Sequence, residues 1–237
     1  MDLQKISKDI LAQYPYRIEL HAHSHPVSPC SEVPASELVD IYHAAGFDAL
    51  VLTNHFISSL LGRYGMDAFM ADYESACRQA RQYGMKVYLG AELRFDENNN
   101  DYLLYGVDRQ ILENATCYFE KGLAAYACEG KDPRSVLVQA HPFRNNMELI
   151  DANLVDGFEV LNFHMGHNSR PATALQHAAK CKANILTSGT DFHHPDKQMP
   201  AVAMRVRALP EDSFELAELI RSKDYCFESE GHIVLIP

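Results

Sequence analysis

Short apolar runs rich in β-forming residues alternate along the chain with longer amphipathic segments. The runs predict strands at about 16–21, 49–53, 87–90, 102–107, 136–139, 158–161, 185–188 and 201–206, with a last one in the C-terminal HIVLIP. Helices are predicted at about 36–45, 67–83, 118–129, 171–182 and 214–221. This alternation amounts to roughly seven strand–helix units and is typical of a mostly parallel α/β sheet, closed or slightly irregular as a barrel.

The helix predicted at 67–83 shows the clearest periodicity. Its apolar residues recur at a spacing of three, four and three, with charged residues elsewhere: Met70, Tyr73, Cys77 and Ala80. This spacing places them on one face of a helix, and Gly84 follows as a stop signal. Gly46 has the same role after the helix at 36–45, because glycine accepts the left-handed conformation in which many helices end.

The bulk composition indicates one globular domain. No repeat, low-complexity tract or Pro/Gly-rich linker divides the 237 residues, so we expect a single domain over 1–237. An apolar content of 47% is ample for a buried core. No apolar run approaches the roughly 18 residues that cross a bilayer, and the N-terminal MDLQKISKDILAQYPYR lacks the apolar centre of a signal peptide. We therefore expect no membrane partner and a cytoplasmic location.

Charge and cysteine usage narrow the function classes. A formal net charge of −11 disfavours binding to a nucleic-acid backbone, which needs a basic stripe. Bound divalent cations would make the field positive locally, so a small anionic substrate remains compatible with the acidic surface. The six cysteines are scattered without a CxxC pair, which argues against a zinc ribbon or a disulfide framework.

Histidines and carboxylates follow the apolar runs at the points where the predicted strands end. The runs close as IELHAH (His21, His23), LVLTNH (His55), VYLGAE (Glu92), LVQAH (His141), FEVLN (Asn162) and ILTSGTDFH (Asp191, His193). Because the carboxyl ends of barrel strands meet at one face, these side chains are expected to converge. The series predicts a single polynuclear metal site at one mouth of the barrel.

Each motif alone has a simpler interpretation. The two imidazoles of His21-Ala22-His23 project from one face of a strand and can share a cation, but they can equally be half-exposed strand histidines. Glu92 can pair with Arg94 instead of a cation. Lone histidines such as His55 or His141 are often satisfied core residues, and Asp191 can cap a helix. These interpretations would have to hold independently at five strand ends, and we reject that coincidence.

The motifs ELHAH, LTNH, GAE, AHP and SGTDFH, with GFEVLN before the last, resemble those of the PHP superfamily, named for its polymerase and histidinol phosphatase members. The resemblance runs from about Arg17 to His193. It implies a distorted (β/α)7 TIM-like barrel with a metal site at the C-terminal ends of the strands. It also implies two to three divalent ions (zinc, manganese or iron) and the hydrolysis of phosphoesters.

The resemblance assigns roles by position. His21, His23, Glu92 and Asp191 are expected to bind one metal, and Glu92 to bridge to a second metal held by His141. His55 and His193 are expected at a third. The residues expected to be catalytic are His21, His23, Glu92, Asp191 and His193.

The chain departs from the family pattern at three places. Asn54 stands where the family usually has an aspartate, which removes a carboxylate beside His55. No histidine lies between Glu92 and His141, so Asp101 or a water would have to fill that ligand position. The loop after the HxH motif reads PVSPC, with His25 as the nearest substitute for a ligand of the third metal and Cys30 at its end.

The expected function is hydrolysis of small phosphoesters by a hydroxide that bridges two cations and attacks phosphorus in line. Arg144 and Arg170 are the expected phosphate contacts, because the guanidinium fork suits phosphate oxygens. Arg63 and Lys197 are further candidates. His164 and His167, in FHMGH, are expected to contact the substrate or to protonate the leaving group.

Other functions remain open at this stage. Within the same class, the protein can be a histidinol-phosphate phosphatase, or a nuclease or nucleotide phosphoesterase, although the acidic surface disfavours long strands. A non-catalytic or regulatory metal-binding barrel is the alternative from another class. A hydrolase acting on amides with the same metals is a further one. The sequence does not predict the oligomeric state.

Overall fold

The computed structural model describes residues 3–237 and has a mixed α/β fold. Within these residues there are twelve strands and seven α-helices. The strands are β1 Tyr16–Ala22, β2 Ala49–Leu52, β3 His55–Phe56, β4 Lys86–Leu89, β5 Ala91–Leu93, β6 Tyr102–Tyr105, β7 Val136–Gln139, β8 Gly157–Asn162, β9 Ile185–Gly189, β10 Ala203–Val206, β11 Cys226–Ser229 and β12 His232–Leu235. The helices are α1 Leu3–Leu11, α2 Ala35–Ala44, α3 Ser58–Ala80, α4 Arg109–Thr116, α5 Gly122–Ala125, α6 Pro171–Lys180 and α7 Ser213–Ser222.

The strands form two six-stranded sheets. Their orders are β12-β11-β10-β1-β2-β4 and β3-β5-β6-β7-β8-β9. The pairs β1–β2, β2–β4, β3–β5, β7–β8 and β8–β9 are parallel. The other five described pairs are antiparallel, including those of β10, β11 and β12. The expectation of a mostly parallel sheet is therefore wrong for the C-terminal strands and for β6, which pair antiparallel with their neighbours.

The two sheets are linked at the edge where the motif residues lie. β2 leads into β3 of the other sheet after two residues, and β4 leads into β5 across Gly90. On the opposite side, β1 approaches β9 through a bridge between Ala22 and Phe192, and the Asp191 N–H donates to the His21 carbonyl at 2.8 Å. The C-terminal ends of β1, β5, β7, β8 and β9 are thus gathered at one edge.

Two glycines have specific backbone roles. Gly46 has a φ of 76° after α2, which confirms it as the left-handed stop of that helix. At Gly189, a Cβ atom would lie only 2.4 Å from the His21 Cβ. Only glycine lets β9 pass this close to the strand that carries His21.

The helices confirm the sequence prediction in part. α2 and α6 lie within two residues of their expected bounds. α3 begins at Ser58, but Gly65 interrupts it with a φ of 80° and a ψ of 161°, so the helix predicted from residue 67 corresponds to the segment after this break. The helix expected at 118–129 is confirmed only in part: it begins at Gly122 as the four-residue α5 and continues as a π-type segment over Tyr126–Gly130. α4 just before it was not predicted.

Three apolar clusters pack against the strands that carry the site residues. One apolar cluster lies between the sheets and draws on β1, β2, β4, β6, β7, β9 and β10. A second packs β5 and β6 against α3 and α4, and a third packs α2 and α3 against β1 and β2. Because burial of apolar surface is the main driving force of folding, these clusters fix the strand ends and the polar residues that follow them.

Candidate metal centre

Seven histidines and carboxylates from five strand ends converge at this edge. Three overlapping groups have potential ligand atoms that all lie within 4.8 Å of one another. They are His21, His23 and Asp191; His21, Glu92 and His141; and His23, His55 and His193. The structure therefore brings together all seven histidines and carboxylates that close the strand motifs of the sequence.

The strand geometry explains this convergence. His21 lies in β1 and His23 just beyond it, so their side chains project from the same face. His55 pairs with Glu92 in the register of β3 and β5. His141 lies two residues after β7. Asp191 lies two residues after β9.

Glu92 lies at the centre of the cluster. Its Oε1 is 3.0 Å from Nε2 of His141 and 3.2 Å from Nε2 of His21. Its Oε2 is 2.7 Å from Nδ1 of His55. The two oxygens thus face different histidines, which is the arrangement a carboxylate needs in order to bridge two cations.

The first group contains two imidazoles that face each other. Nε2 of His21 and Nε2 of His23 are 3.1 Å apart, and Oδ1 of Asp191 lies 3.5 and 3.3 Å from them. At this distance the lone pairs of two neutral ring nitrogens must share a proton or a cation. Imidazole nitrogens and carboxylate oxygens are ligand types that zinc, iron and manganese accept, so the donor set fits divalent ions.

The backbone is strained at two of these positions. His141 has a φ of 30° and Asp191 a φ of 54°, although neither is glycine. Such conformations cost roughly 1–3 kcal/mol each and persist only where the surrounding structure holds them. Both are buried among the other members of the cluster.

Burial and neighbouring charges shift the titration of the cluster in opposite directions. Burial lowers the pKa of His21, but the carboxylates around it, Asp191 foremost, outweigh this and raise the pKa well above its usual value. Burial also lowers the pKa of His55, and the carboxylate of Glu92 likewise raises it well above the usual value. For His23, burial and the adjacent histidines act together and hold the pKa well below its usual range.

The two carboxylates of the cluster are held ionised. Burial raises the pKa of Glu92, but the imidazoles of His21 and His55 outweigh burial and lower it well below its usual value. The pKa of Asp191 is lowered in the same way: burial raises it, but the neighbouring groups, His21 foremost, outweigh burial. Neutral His23 beside two carboxylates is suited to bind a cation without first losing a proton.

Glu159 is a functional candidate that the sequence reasoning missed. Its Oε1 is 2.9 Å from Nδ1 of His21, and its Oε2 accepts the His141 N–H at 3.0 Å. It is buried in β8. The signal was present in the motif FEVLN, where a single carboxylate interrupts an otherwise apolar strand and needs a partner.

Glu19 was missed for the same reason. Its carboxylate is fully buried and accepts the N–H groups of His21 at 2.9 Å and Thr190 at 3.0 Å. It also accepts the hydroxyl of Tyr42 at 2.9 Å. One carboxylate therefore holds the end of β1 against the segment that carries Asp191.

Asn54 takes part in a polar network that includes a carboxylate from α3. Its Nδ2 donates to Oδ2 of Asp72 at 2.8 Å, and its Oδ1 accepts the Ser24 N–H at 2.7 Å and the Ser28 hydroxyl at 2.8 Å. The Ser28 oxygen accepts the His55 N–H at 2.9 Å. Asp72 thus places a carboxylate beside Asn54.

The two remaining ligand candidates lie in different surroundings. His25 is exposed and lies outside the three groups. Asp101 is buried, with Oδ2 3.8 Å from Nε2 of His141. Arg94 donates to both of its oxygens at 2.7 and 2.9 Å. Arg94 therefore pairs with Asp101 and not with Glu92, the alternative partner considered from the sequence.

A cavity of about 420 Å³ opens beside the cluster. Its wall contains ligand candidates and, among the expected substrate contacts, Arg144, His164 and His167. Arg144 donates to Oδ2 of Asp191 at 2.5 Å and to Oδ1 of Asn162 at 2.9 Å. Its buried Nε has no hydrogen-bond partner within the described residues.

The two histidines of the FHMGH segment lie 4.7 Å apart between ring centroids, with the rings tilted by 39°. Burial is the main cause that lowers the pKa of His164, to about 4, and it lowers that of His167 as well. A neutral imidazole at neutral pH can donate or accept a hydrogen bond but is a poor reservoir of protons. This favours contact with the substrate over protonation of the leaving group.

Arg170 does not line the cavity. It donates to the Phe143 carbonyl at 2.5 Å and to Oδ1 of Asn145 at 2.6 Å, and so holds the loop after His141 in place. Arg63 lies over the ring of Tyr64. Neither Arg63 nor Lys197 belongs to the cavity wall.

Cys30, at the end of the PVSPC loop, also lines the cavity. Its thiol interacts with the imidazoles of His55 and His193. Burial acts to raise the pKa of this thiol, but hydrogen bonding to His193 and then His55 outweighs burial and lowers the pKa to about 6.

Every helix within residues 3–237 is too short or too polar to span a bilayer.

Solved structures with a similar fold come from several bacteria. A two-domain protein from Bacteroides vulgatus ATCC 8482, described as containing a predicted PHP-like metal-dependent phosphoesterase, aligns with a TM-score of 0.65 at 15% identity over 90% of this chain. This chain spans only 64% of that protein. A candidate metal-dependent phosphoesterase from Bifidobacterium adolescentis ATCC 15703 aligns with a TM-score of 0.51 at 16% identity, covering 86% of this chain and 96% of the other.

An amidohydrolase from Chromobacterium violaceum, solved with bound sulfate and no metal, aligns equally well. Its TM-score is 0.51 at 16% identity, and the alignment covers 85% of this chain and 95% of the other. At such identities the three likenesses show a shared fold and not a shared activity.

No curated protein matches the sequence. The model of the PHP domain family, however, matches residues 19–232, which include every residue of the cluster, and the chain therefore belongs to the PHP domain family.

Proposed function

We propose that this protein is a metal-dependent hydrolase of small phosphoesters. The observation that carries the proposal is the convergence of three overlapping groups of potential ligand atoms beside an open cavity. The proposal takes residues 1–237 as a single PHP domain. It treats the two linked sheets as one distorted (β/α)7 barrel with its site at the C-terminal strand ends.

The donor groups suggest how two to three divalent ions would be held. His21, His23, Glu92 and Asp191 would bind the first, Glu92 and His141 the second, and His55 and His193 the third. Such ions supply a hydroxide nucleophile at neutral pH and neutralise charge on phosphoryl oxygens. Zinc, iron and manganese all suit these ligands.

The chain's own residues would orient the substrate. Arg144 lies in the cavity wall, and its guanidinium fork favours it as a donor to a phosphoryl oxygen. Its contact with Asp191 at 2.5 Å would couple the phosphate position to the first metal position. Neutral His164 and His167 would form hydrogen bonds to the substrate from the loop after β8.

The size and charge of the protein support a small substrate. A cavity of about 420 Å³ accommodates a small molecule, which suits a compact phosphoester. The net charge of −11 repels a long polyanion such as nucleic acid.

Substitution of Asp191 or His23 by alanine tests the proposal. Each variant should lose metal and hydrolysis together, because each removes a donor from the first group. Elemental analysis and a panel of small phosphoesters, including histidinol phosphate and mononucleotides, measure both effects. Asp196→Ala, which removes an exposed carboxylate from the loop after Asp191, is the matched control and should retain both.

Two results would contradict the proposal. An unchanged rate in either variant would remove the metal cluster from the reaction. A fully metal-loaded protein that hydrolyses no phosphoester would favour a non-catalytic barrel. If it hydrolyses only amides, the reaction would match the name of the Chromobacterium neighbour instead.

A further inference from the structure

The loop after Asp191 carries a buried glutamine that the sequence motifs do not include. Gln198 is only 4% exposed, although residues 195–197 before it and Met199 after it are exposed. A buried amide loses its hydrogen bonds to water and needs partners in the protein. The side chain of Gln198 finds them on the backbone of the segment that carries two ligand candidates, Asp191 and His193.

The side-chain amide of Gln198 contacts three backbone groups of this segment. Its Oε1 accepts the N–H groups of His193 at 2.6 Å and His194 at 2.9 Å. Its Nε2 donates to the Asp191 carbonyl at 3.2 Å. Two N–H donors require the amide oxygen and a carbonyl requires the amide nitrogen, so these partners also fix which way the amide points. One side chain thus closes residues 191–198 into a loop of fixed shape.

The Asp191 carbonyl also orients the ring of His193. It lies 2.9 Å from Nδ1 of that ring, and because a carbonyl oxygen only accepts, Nδ1 carries the proton. In the neutral ring, Nε2 then keeps the lone pair that a cation needs. Since Gln198 donates to the same carbonyl, it holds in place the acceptor that sets this tautomer.

His193 depends on such support because it lies outside the regular sheet. His21 and His55 lie within β1 and β3, where strand pairing holds the backbone, whereas His193 lies four residues beyond the end of β9. The Glu32 N–H donates to the His193 carbonyl at 3.0 Å. Gln198 supplies the acceptor for the N–H of the same residue. The backbone of this ligand candidate is therefore held from both sides.

We propose that Gln198 is the positioning residue of the third metal position and that it holds the backbone and the ring tautomer of His193 for metal binding. This inference rests on the proposed function for the existence of that position. Gln198 does not belong to the cavity wall, so it acts through His193 and not on the substrate. Residues that orient a metal ligand in this way change metal affinity by about 10–100-fold when they are removed.

Gln198→Met in the full chain tests the inference, because methionine has a similar length and forms none of the three hydrogen bonds of the amide. The variant should bind the third ion about 10–100-fold more weakly, and so retain fewer ions per chain after dialysis than wild type. Elemental analysis and competition with a chelator measure both quantities. His193→Ala, which removes the ligand itself, gives the reference ion number that Gln198→Met should approach. Gln82→Met, at an exposed glutamine after α3, is the matched control and should bind metal as wild type does.

Gln198→Glu separates positioning of the ligand from general stability. Its carboxylate keeps an acceptor for the N–H groups of His193 and His194 and loses only the donor to the Asp191 carbonyl. It should therefore recover part of the metal affinity that Gln198→Met loses. Amide hydrogen exchange in the metal-free protein should be faster at His193 and His194 in Gln198→Met and should stay slow in Gln198→Glu.

Wild-type ion number and affinity in Gln198→Met would overturn the inference, because Gln198 would then hold the loop without positioning a ligand. Equally weak metal binding in Gln198→Glu and Gln198→Met would overturn it as well. Failure of the proposed function gives a different result. If wild type hydrolyses no phosphoester while Gln198→Met still loses the third ion selectively, the positioning role stands without that activity. If wild type is active and Gln198→Met keeps every ion, only the inference falls.

Discussion

Glu159 determines which nitrogen of His21 faces the cluster. Its Oε1 lies 2.9 Å from Nδ1 of that ring, so in the neutral ring it favours the proton on Nδ1 and leaves Nε2, which faces His23 and Glu92, free to bind a metal. Its other oxygen accepts the backbone N–H of His141, a residue with a strained positive φ. A single carboxylate thus orients one ligand candidate and holds the backbone of another.

We expect Glu159→Gln to weaken metal binding by about 10–100-fold, the usual effect of losing a carboxylate that orients a ligating histidine. The neutral amide makes His21 a weaker base and has one acceptor fewer for its three partners, His21, the His141 N–H and Nδ2 of Asn162. Competition titration of the purified variant against a chelator measures the change. Glu129→Gln, at an exposed carboxylate, is the control and should bind metal as wild type does. Wild-type affinity in a folded Glu159→Gln protein would show that Glu159 does not orient His21.

At the level of elements, α3 reaches the metal cluster through Asp72 and Asn54. Asn54 at the end of β2 donates to Asp72 with Nδ2, and its Oδ1 accepts two donors from the loop after β1. Burial is the main cause that raises the pKa of Asp72. An aspartate at position 54 would place a second carboxylate about 2.8 Å from the first, and the two would repel in a poorly solvated place.

We therefore expect Asn54→Asp to destabilise the protein by about 1–3 kcal/mol, through like-charge contact and the loss of the amide donor. The exchanged pair Asn54→Asp with Asp72→Asn should recover much of this, since an amide again faces a carboxylate. Chemical denaturation of the two single variants and the double variant gives the coupling free energy, expected at roughly 1–2 kcal/mol. Glu74→Gln, exposed on the same helix, should change stability by less than about 0.5 kcal/mol. Additive effects of the two substitutions would contradict the coupling.

The ligand candidates could be predicted from the sequence, whereas the residues that orient them could not. His21, His55, Glu92, His141 and Asp191 each follow a recognisable strand, and strand ends converge wherever parallel strands share a sheet. Asp72 lies on a helix whose pattern suggests a solvent-facing acid, and its partner Asn54 is 18 residues away. Glu19 and Glu159 lie within strands, where a pattern shows burial but not the partner. The antiparallel returns of β6 and β10 follow from tertiary pairing that local periodicity does not encode.

Across the whole molecule, the metal-free cluster is a buried arrangement of mutually compensating charges. The pKa values of His21 and His55 lie above their usual value of about 6.5. Those of Glu92 and Asp191 lie below their usual values of about 4. The folded protein therefore binds more protons than the unfolded chain above about pH 6.5 and fewer at acidic pH. Stability of the metal-free protein should fall as pH rises through the raised histidine pKa values, and fall again as acid protonates the carboxylates.

Metal loading should reverse the first of these trends, because divalent ions replace the protons that the histidines otherwise hold. The gain in Tm on adding metal should be small near pH 5.5 and increase steadily to about pH 8, as proton competition for His21 and His55 declines. Thermal unfolding over this range, with Zn²⁺ and with a chelator, measures the difference directly. His25→Ala removes an exposed histidine outside the cluster and should leave the pH dependence unchanged, whereas His55→Ala should flatten it. A metal-induced gain that is constant from pH 5.5 to 8 would mean that no titrating histidine of the cluster is displaced when the metal binds.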